Sequence, residues 1–133
     1  MLRFTAPVAR HVPDSITEHV GVSPPPQGTV LRIIDIPPEP KDPQELQRAM
    51  EATFSNMYRD AHREIKPGEH PGMHKTQTVD YALMLQGELV AIMDEEETVL
   101  RAGDVLIQRG TNHAWANRSG QPARIAFILI DAK

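Results

Sequence analysis

The chain has 133 residues, 40% of them hydrophobic and 24% charged, with a net charge of −4 and no cysteine. That length suits one domain, able to bury roughly two thirds of the surface its unfolded chain exposes. The lack of cysteine excludes disulfides, thiolate metal sites and cysteine nucleophiles, and makes the cytoplasm the expected location. With no basic cluster there is no electrostatic footprint for nucleic acid. The opening Met-Leu-Arg-Phe-Thr-Ala-Pro lacks the apolar run of a signal peptide, and no segment reaches membrane-spanning length. Neither nucleic acid nor membrane is therefore an expected partner.

In chain order, residues 3–10 read as an edge strand, and the prolines of 23–28 as a stiff connector that cannot donate ladder hydrogen bonds. Residues 29–36 alternate as a strand, with Leu31 and Ile33 set against Arg32 and Ile34, and Pro37-Pro38 ends it. Asp42-Pro43-Gln44-Glu45 is a helix start: Asp42 can cap free N–H groups, Pro43 suits the first helical position, and Glu45 sits where a capping box reaches back. Leu46, Ala49, Met50, Phe54, Met57, Tyr58 and Ala61 then recur at three- and four-residue steps, which predicts a helix over 43–62. Its stripe is expected to pack on the outside of a sheet, with Leu46, Met50, Phe54 and Met57 buried; a lid over a site is the alternative.

From residue 68 onward short strands alternate with turns: 89–93, the acidic turn 94–97, 98–101, 105–108, and the almost wholly apolar 124–130. This spacing predicts an antiparallel sandwich or barrel. Within residues 68–87, His74, Thr76, Thr78 and Asp80 share one parity. In an extended chain they project from one face, while Val79, Tyr81, Leu83 and Leu85 project from the other. An imidazole, two hydroxyls and a carboxylate on one strand face exceed what a core requires. A carboxylate facing a barrel interior has to be paired, metal-bound or neutral. Trp115 and Asn117 share the parity of His113. Ala82, Met84, Met93 and Phe127 are candidates for apolar wall.

The spacing is similar to that of the cupin family. Gly68, five residues, His74-x-Thr76, three residues, Asp80, six residues, Gly87 resembles the first cupin motif. Gly103, four residues, Gln108-x-Gly110-x-x-His113-x-x-x-Asn117 resembles the second. The likeness covers residues 66–130. Three positions depart from the pattern, Thr76 standing for the second histidine, Asp80 for glutamate and Gln108 for proline, and the second motif is one residue short. The resemblance implies an all-β fold, an antiparallel double-stranded β-helix (a cupin or jelly-roll barrel) with one outer helix. Residues 1–133 would form a single domain, in which 1–65 carry N-terminal strands, connector and helix.

The resemblance also implies an interior site. His74, Asp80 and His113 are its candidate catalytic residues and candidate ligands for a divalent metal (iron, manganese, nickel or zinc), weakly held because Thr76 replaces an imidazole; the site could also work without metal. His70 is a conceivable stand-in ligand or a surface loop histidine. Thr76, Thr78, Gln108, Trp115 and Asn117 are candidate substrate contacts. The function expected is metal-assisted or acid–base chemistry of the lyase, dehydratase, isomerase or decarboxylase type on a small oxygenated metabolite. A non-catalytic binding protein and an iron-dependent dioxygenase are the alternatives, and a homodimer is the expected assembly.

Overall fold

The computed structural model describes residues 16–133; the strand expected over 3–10 lies outside them. Seven strands and one α-helix follow a short 3-10 turn, Ile16–Glu18. The strands are β1 (Thr29–Ile36), β2 (Thr78–Gln86), β3 (Glu88–Met93), β4 (Glu97–Arg101), β5 (Val105–Arg109), β6 (His113–Ala116) and β7 (Ala123–Asp131). All pairings are antiparallel, in a four-stranded sheet ordered β1-β7-β2-β5 and a three-stranded sheet ordered β4-β3-β6. The expected all-β architecture is observed.

Alternation along β2 decides which groups meet. Thr78, Asp80, Ala82 and Met84 are buried, whereas Tyr81 and Leu85 are exposed. The inward residues of β2 and β7, among them Met84, Ile125 and Leu129, pack against Leu89 and Ala91 of β3 and Leu100 of β4, so the main core lies between the two sheets. A smaller cluster of Met73, Ile92, Ala114 and Ala116 covers the other face of the three-stranded sheet. The β2–β3 turn needs Gly87, at φ +76°, where an added Cβ would lie 2.9 Å from the carbonyl oxygen of Pro122.

The helix departs from expectation in length and in place. α1 runs Pro43–Asn56, not to residue 62. Its start is as read: Asp42 accepts from the Gln44 N–H at 3.0 Å, and Pro43 follows. Its end comes where Met57 donates back to the Thr53 carbonyl and the Arg59 side chain takes up the Ser55 carbonyl. Beyond that, Asp60 is drawn to the backbone N–H groups of Val22 and Ser23 at 2.8 and 2.9 Å, which a continuing helix would not permit. Tyr58 and Ala61 still reach the core, as their spacing suggested, from irregular chain.

Nor does α1 cover the outside of the four-stranded sheet, where Val105 and Ile107 remain 58% and 61% exposed. Only Phe54 of the helix is buried, and Met57 is exposed. The stripe of Ala49, Met50, Thr53 and Phe54 instead closes a cavity whose other walls are barrel strands. The helix is a cover over the interior, the arrangement entertained above as the alternative.

Candidate functional site

The cavity measures about 420 Å³ and lies among β1, β2, β6, β7 and α1. His74 reaches it from the segment before β2, and His113 from the start of β6. Their backbones exchange two hydrogen bonds, His74 N–H to the His113 carbonyl at 2.8 Å and His113 N–H to the His74 carbonyl at 2.9 Å. This pairing sets the imidazoles side by side, with ring centroids 4.3 Å apart. The two motifs therefore converge as their spacing implied.

Both rings are oriented in the same way. Nδ1 of His74 lies 2.7 Å from the Gly72 carbonyl oxygen, and Nδ1 of His113 lies 2.7 Å from that of Thr111. A carbonyl oxygen only accepts, so each Nδ1 carries the proton and each Nε2 keeps a lone pair. Burial pushes both histidines down, which keeps them neutral. The His113 value falls to about 3, driven by burial and then by the neighbouring His74. For His74 burial again leads; the Gly72 bond opposes it, and the positive charge of Arg63 adds to it.

Asp80 sits on the inward face of β2, opposite Gln108 of β5 and Leu129 of β7. Thr78 Oγ1 donates to Asp80 Oδ1 at 2.6 Å, and Thr76 Oγ1 lies 2.6 Å from Thr78 Oγ1. Thr78 has one hydroxyl hydrogen and gives it to the carboxylate, so Thr76 must donate to Thr78. The three residues, alternate along one strand face, form a single chain of hydroxyls ending on a carboxyl. Burial raises the Asp80 pKa, and the Thr78 bond and the charge of Arg32 only partly offset it.

The expected metal centre is not assembled in this arrangement. Among the described residues no group of three or more His, Asp or Glu is arranged to hold a metal ion. Of the set His74, Asp80 and His113, the imidazoles stand together, while an oxygen of Asp80 is engaged by Thr78. The strand alternation that puts Asp80 inward also threads it onto the threonine hydroxyls. His70 supplies no substitute, because its Nδ1 accepts from the Gly72 N–H and its Nε2 donates to Glu39 at 3.0 Å. With a side chain only 6% exposed, it is not a surface residue either.

The expected substrate contacts divide. Thr76, Trp115 and Asn117 line the cavity, but the Asn117 amide donates to the carbonyls of Ile36 and Gln121 and holds neighbouring chain in place. Thr78 lies behind the cavity wall in the hydroxyl chain. Gln108 is buried, with its amide nitrogen directed to Thr111 and Met93 and its Oε1 without a partner among the described residues. Sequence reading missed two wall residues. Arg32, 4% exposed, donates to the carbonyls of Val22 and Gly21 and lies over the Tyr58 ring. Phe54 packs at 5.0 Å from His74, and the Arg63 guanidinium lies over the Phe54 ring. The parity of Val30, Arg32 and Ile34 carried the first signal, but only the pairing with β7 shows that this face turns inward.

The family model described as Cupin domain matches residues 61–130. The chain belongs to the cupin family. That range takes in His74, Thr76, Thr78, Asp80 and His113, whereas α1 and the arginine of β1 precede it. This cupin is 42% identical over 72 residues to phomopsin biosynthesis cluster protein C' of Diaporthe leptostromiformis, a match covering 53% of this chain and 38% of that protein. It is 37% identical over 71 residues to the cupin-domain-containing oxidoreductase srdD of Neurospora crassa, covering 50% of this chain and 36% of that one. It thus spans well under half the length of these curated relatives. Among solved structures, a predicted oxalate decarboxylase from Thermotoga maritima superposes with a TM-score of 0.52 at 16% identity, covering 90% of this chain and 76% of that one. The DMSP lyase DddQ from Ruegeria pomeroyi gives 0.50 at 12% identity, covering 78% and 39%. At these identities the superpositions establish the barrel. No helix among the described residues is long and apolar enough to cross a membrane.

Proposed function

We propose that the cavity is the active site of an acid–base enzyme that moves a proton on a small oxygenated organic molecule, in chemistry of the lyase, isomerase, dehydratase or decarboxylase type. The observation that carries this reading is the pairing of opposite proton states in one cavity. Asp80 is biased by burial toward its neutral, proton-bearing form, while His74 and His113 are held neutral with lone pairs on Nε2. Asp80 is thereby suited to give a proton, and the open Nε2 lone pair of His74 offers the place to take one, the division of labour that acid–base catalysis requires. The Thr76–Thr78 hydroxyl chain provides a path by which Asp80 can be reprotonated. In this reading His74, Asp80 and His113 are the catalytic residues, and Thr76 and Trp115 contact the substrate.

Deuterium incorporation tests the reading. The protein is incubated in D₂O with a panel of hydroxy acids, 1,3-dicarbonyl compounds and hydroxyaryl ketones, and exchange beside the oxygenated carbon is followed by NMR. Protein-dependent exchange lost in Asp80→Asn supports the proposal. Saturable binding without exchange for any compound would make the cavity a non-catalytic binding site.

A second reading is favoured by the relatives named as oxidoreductases. It holds that the same cavity serves redox turnover. Oxygen consumption by chelator-treated protein, before and after addition of iron or manganese, tests it; oxygen uptake that returns with metal would establish this reading in place of the first.

A further inference from the structure

Six rings follow one another along the cavity wall. Tyr58 and Phe54 lie with centroids 6.1 Å apart, Phe54 and His74 5.0 Å, His74 and His113 4.3 Å, His113 and Trp115 5.7 Å, and Trp115 and Phe127 5.1 Å. All six residues border the cavity. The whole chain has only 3 Phe, 2 Tyr and 1 Trp, so gathering four of them here is a marked concentration. Room for the indole comes from Ala91, which faces Trp115 across β3 and β6. The rings come from α1 and its trailing segment, the segment before β2, β6 and β7, which makes the wall a product of the tertiary fold.

We propose that this wall receives a flat, uncharged hydroxyarene, a phenol of one or two rings, with its hydroxyl hydrogen donated to the Nε2 atom of His74 or His113. The proposal names the substrate class for the acid–base reading and rests on it for the identity of the site. Ring faces and edges at these separations attract another π-system in offset or edge-on contact, beyond what apolar area alone provides. The volume falls in the range of about 300–1,000 Å³ that small-molecule sites occupy. The polar end is set by the hydrogen-bond census. Both Nδ1 atoms are committed to backbone carbonyls, and neither Nε2 has a hydrogen-bond partner among the described residues. An open lone pair on each of two neighbouring rings calls for a donor. A carboxylate would set its own lone pairs against them, and would have to turn instead to the Arg32 guanidinium in the same cavity. That guanidinium is already directed to the Val22 and Gly21 carbonyls and the Tyr58 ring, so it is not presented to an anion.

Four matched probes separate these features: 3-propylphenol, 3-propylanisole, 3-propylbenzoate and 3-propylcyclohexanol, titrated into the full chain. Trp115, the only tryptophan, reports binding by fluorescence excited at its red edge, and calorimetry gives an independent constant. The phenol should bind saturably, and each of the other three at least about tenfold more weakly, since each loses the donor, the neutrality or the flat ring. Phe127→Leu should weaken the phenol about fivefold or more while leaving the cyclohexanol within twofold. Trp115→Phe, which keeps a ring, should retain phenol binding by calorimetry. Benzoate binding tightest, cyclohexanol matching phenol, or no probe binding at millimolar concentration would each overturn the proposal. The outcome is separable from the acid–base reading. Phenol selectivity without deuterium exchange sinks that reading and leaves this one. Exchange confined to non-aromatic compounds that bind in place of the phenol does the reverse.

Discussion

Truncating Phe54 to alanine tests the placement of α1, and its effect can be worked from the contacts. Phe54 is the one buried residue of the helix, 6% exposed. Its ring lies 5.0 Å from that of His74 between centroids and carries the Arg63 guanidinium 4.3 Å from its own centroid. A phenylalanine in a solid core costs about 3–5 kcal/mol when cut to alanine, because a new void adds to the lost transfer energy. Here part of the ring already faces a cavity, so the void contributes less. The transfer energy of the side chain, about 1.5–3 kcal/mol, is the larger share, and loss of a half-desolvated cation–π contact adds about 1 kcal/mol. Phe54→Ala should therefore cost about 3 kcal/mol. At a urea slope of about 2 kcal/mol per molar, usual for a domain of this size, the midpoint falls by roughly 1.5 M with an unchanged slope. Ligand affinity should fall as well, since Phe54 braces the His74 ring. A midpoint shift below about 0.3 M together with unaltered binding would refute both the cover and the bracing.

Asp80→Asn should lower turnover by about 10²-fold or more, as loss of a general acid does. Its stability effect runs the other way: the native carboxyl is held above its ordinary 3.8, so its ionisation weakens the fold, and the variant should gain on wild type as pH rises from about 4, measured by urea midpoints at pH 4 and pH 8. For His113, whose value falls from 6.5 to about 3 on folding, stability is fully present above pH 6.5 and drains at up to about 1.4 kcal/mol per pH unit as the pH drops toward 3; His113→Gln should flatten that slope in acid urea titrations. The outer face of the four-stranded sheet leaves Tyr81, Leu85, Val105, Ile107 and Ile130 partly or largely exposed; if the expected homodimer forms through this face, Ile107→Glu should halve the mass by light scattering, and an unchanged mass would place the contact elsewhere or leave the chain a monomer.

Much of this was legible because strand alternation is a short-range rule. The parity of His74, Thr76, Thr78 and Asp80, and the outward turn of Tyr81 and Leu85, follow from residue spacing once the segment is extended. The convergence of His74 with His113 rested on two motifs of matching spacing, which placed both on the interior. The helix was harder. Its cap is local and was readable, but an apolar stripe does not say which apolar surface it meets, and Tyr58 and Ala61 keep helical spacing while lying in irregular chain. Arg32 was opaque for a related reason. A strand has two faces, and only the register with β7, set by residues 87 to 101 positions away in sequence, decides which is inside. The hydroxyl chain from Thr76 to Asp80 is likewise a matter of rotamers, which spacing permits but does not dictate.

One consequence follows from how α1 is fastened. On its leading side the Glu39 N–H donates to the Asn117 carbonyl at 2.9 Å, and the Glu39 carboxylate accepts from His70 Nε2 at 3.0 Å. On its trailing side His62 and Lys75 exchange backbone hydrogen bonds at 3.0 and 2.9 Å, and Asp60 grips the backbone of Val22 and Ser23. A bridge moored at both banks does not swing open like a gate. Passage to the interior is left to the side chains at its edge, and Met50 and Met57 are suited to it, being unbranched and readily rearranged. Traffic through this protein should thus register in methionine methyl resonances while the backbone amides of the helix stay still.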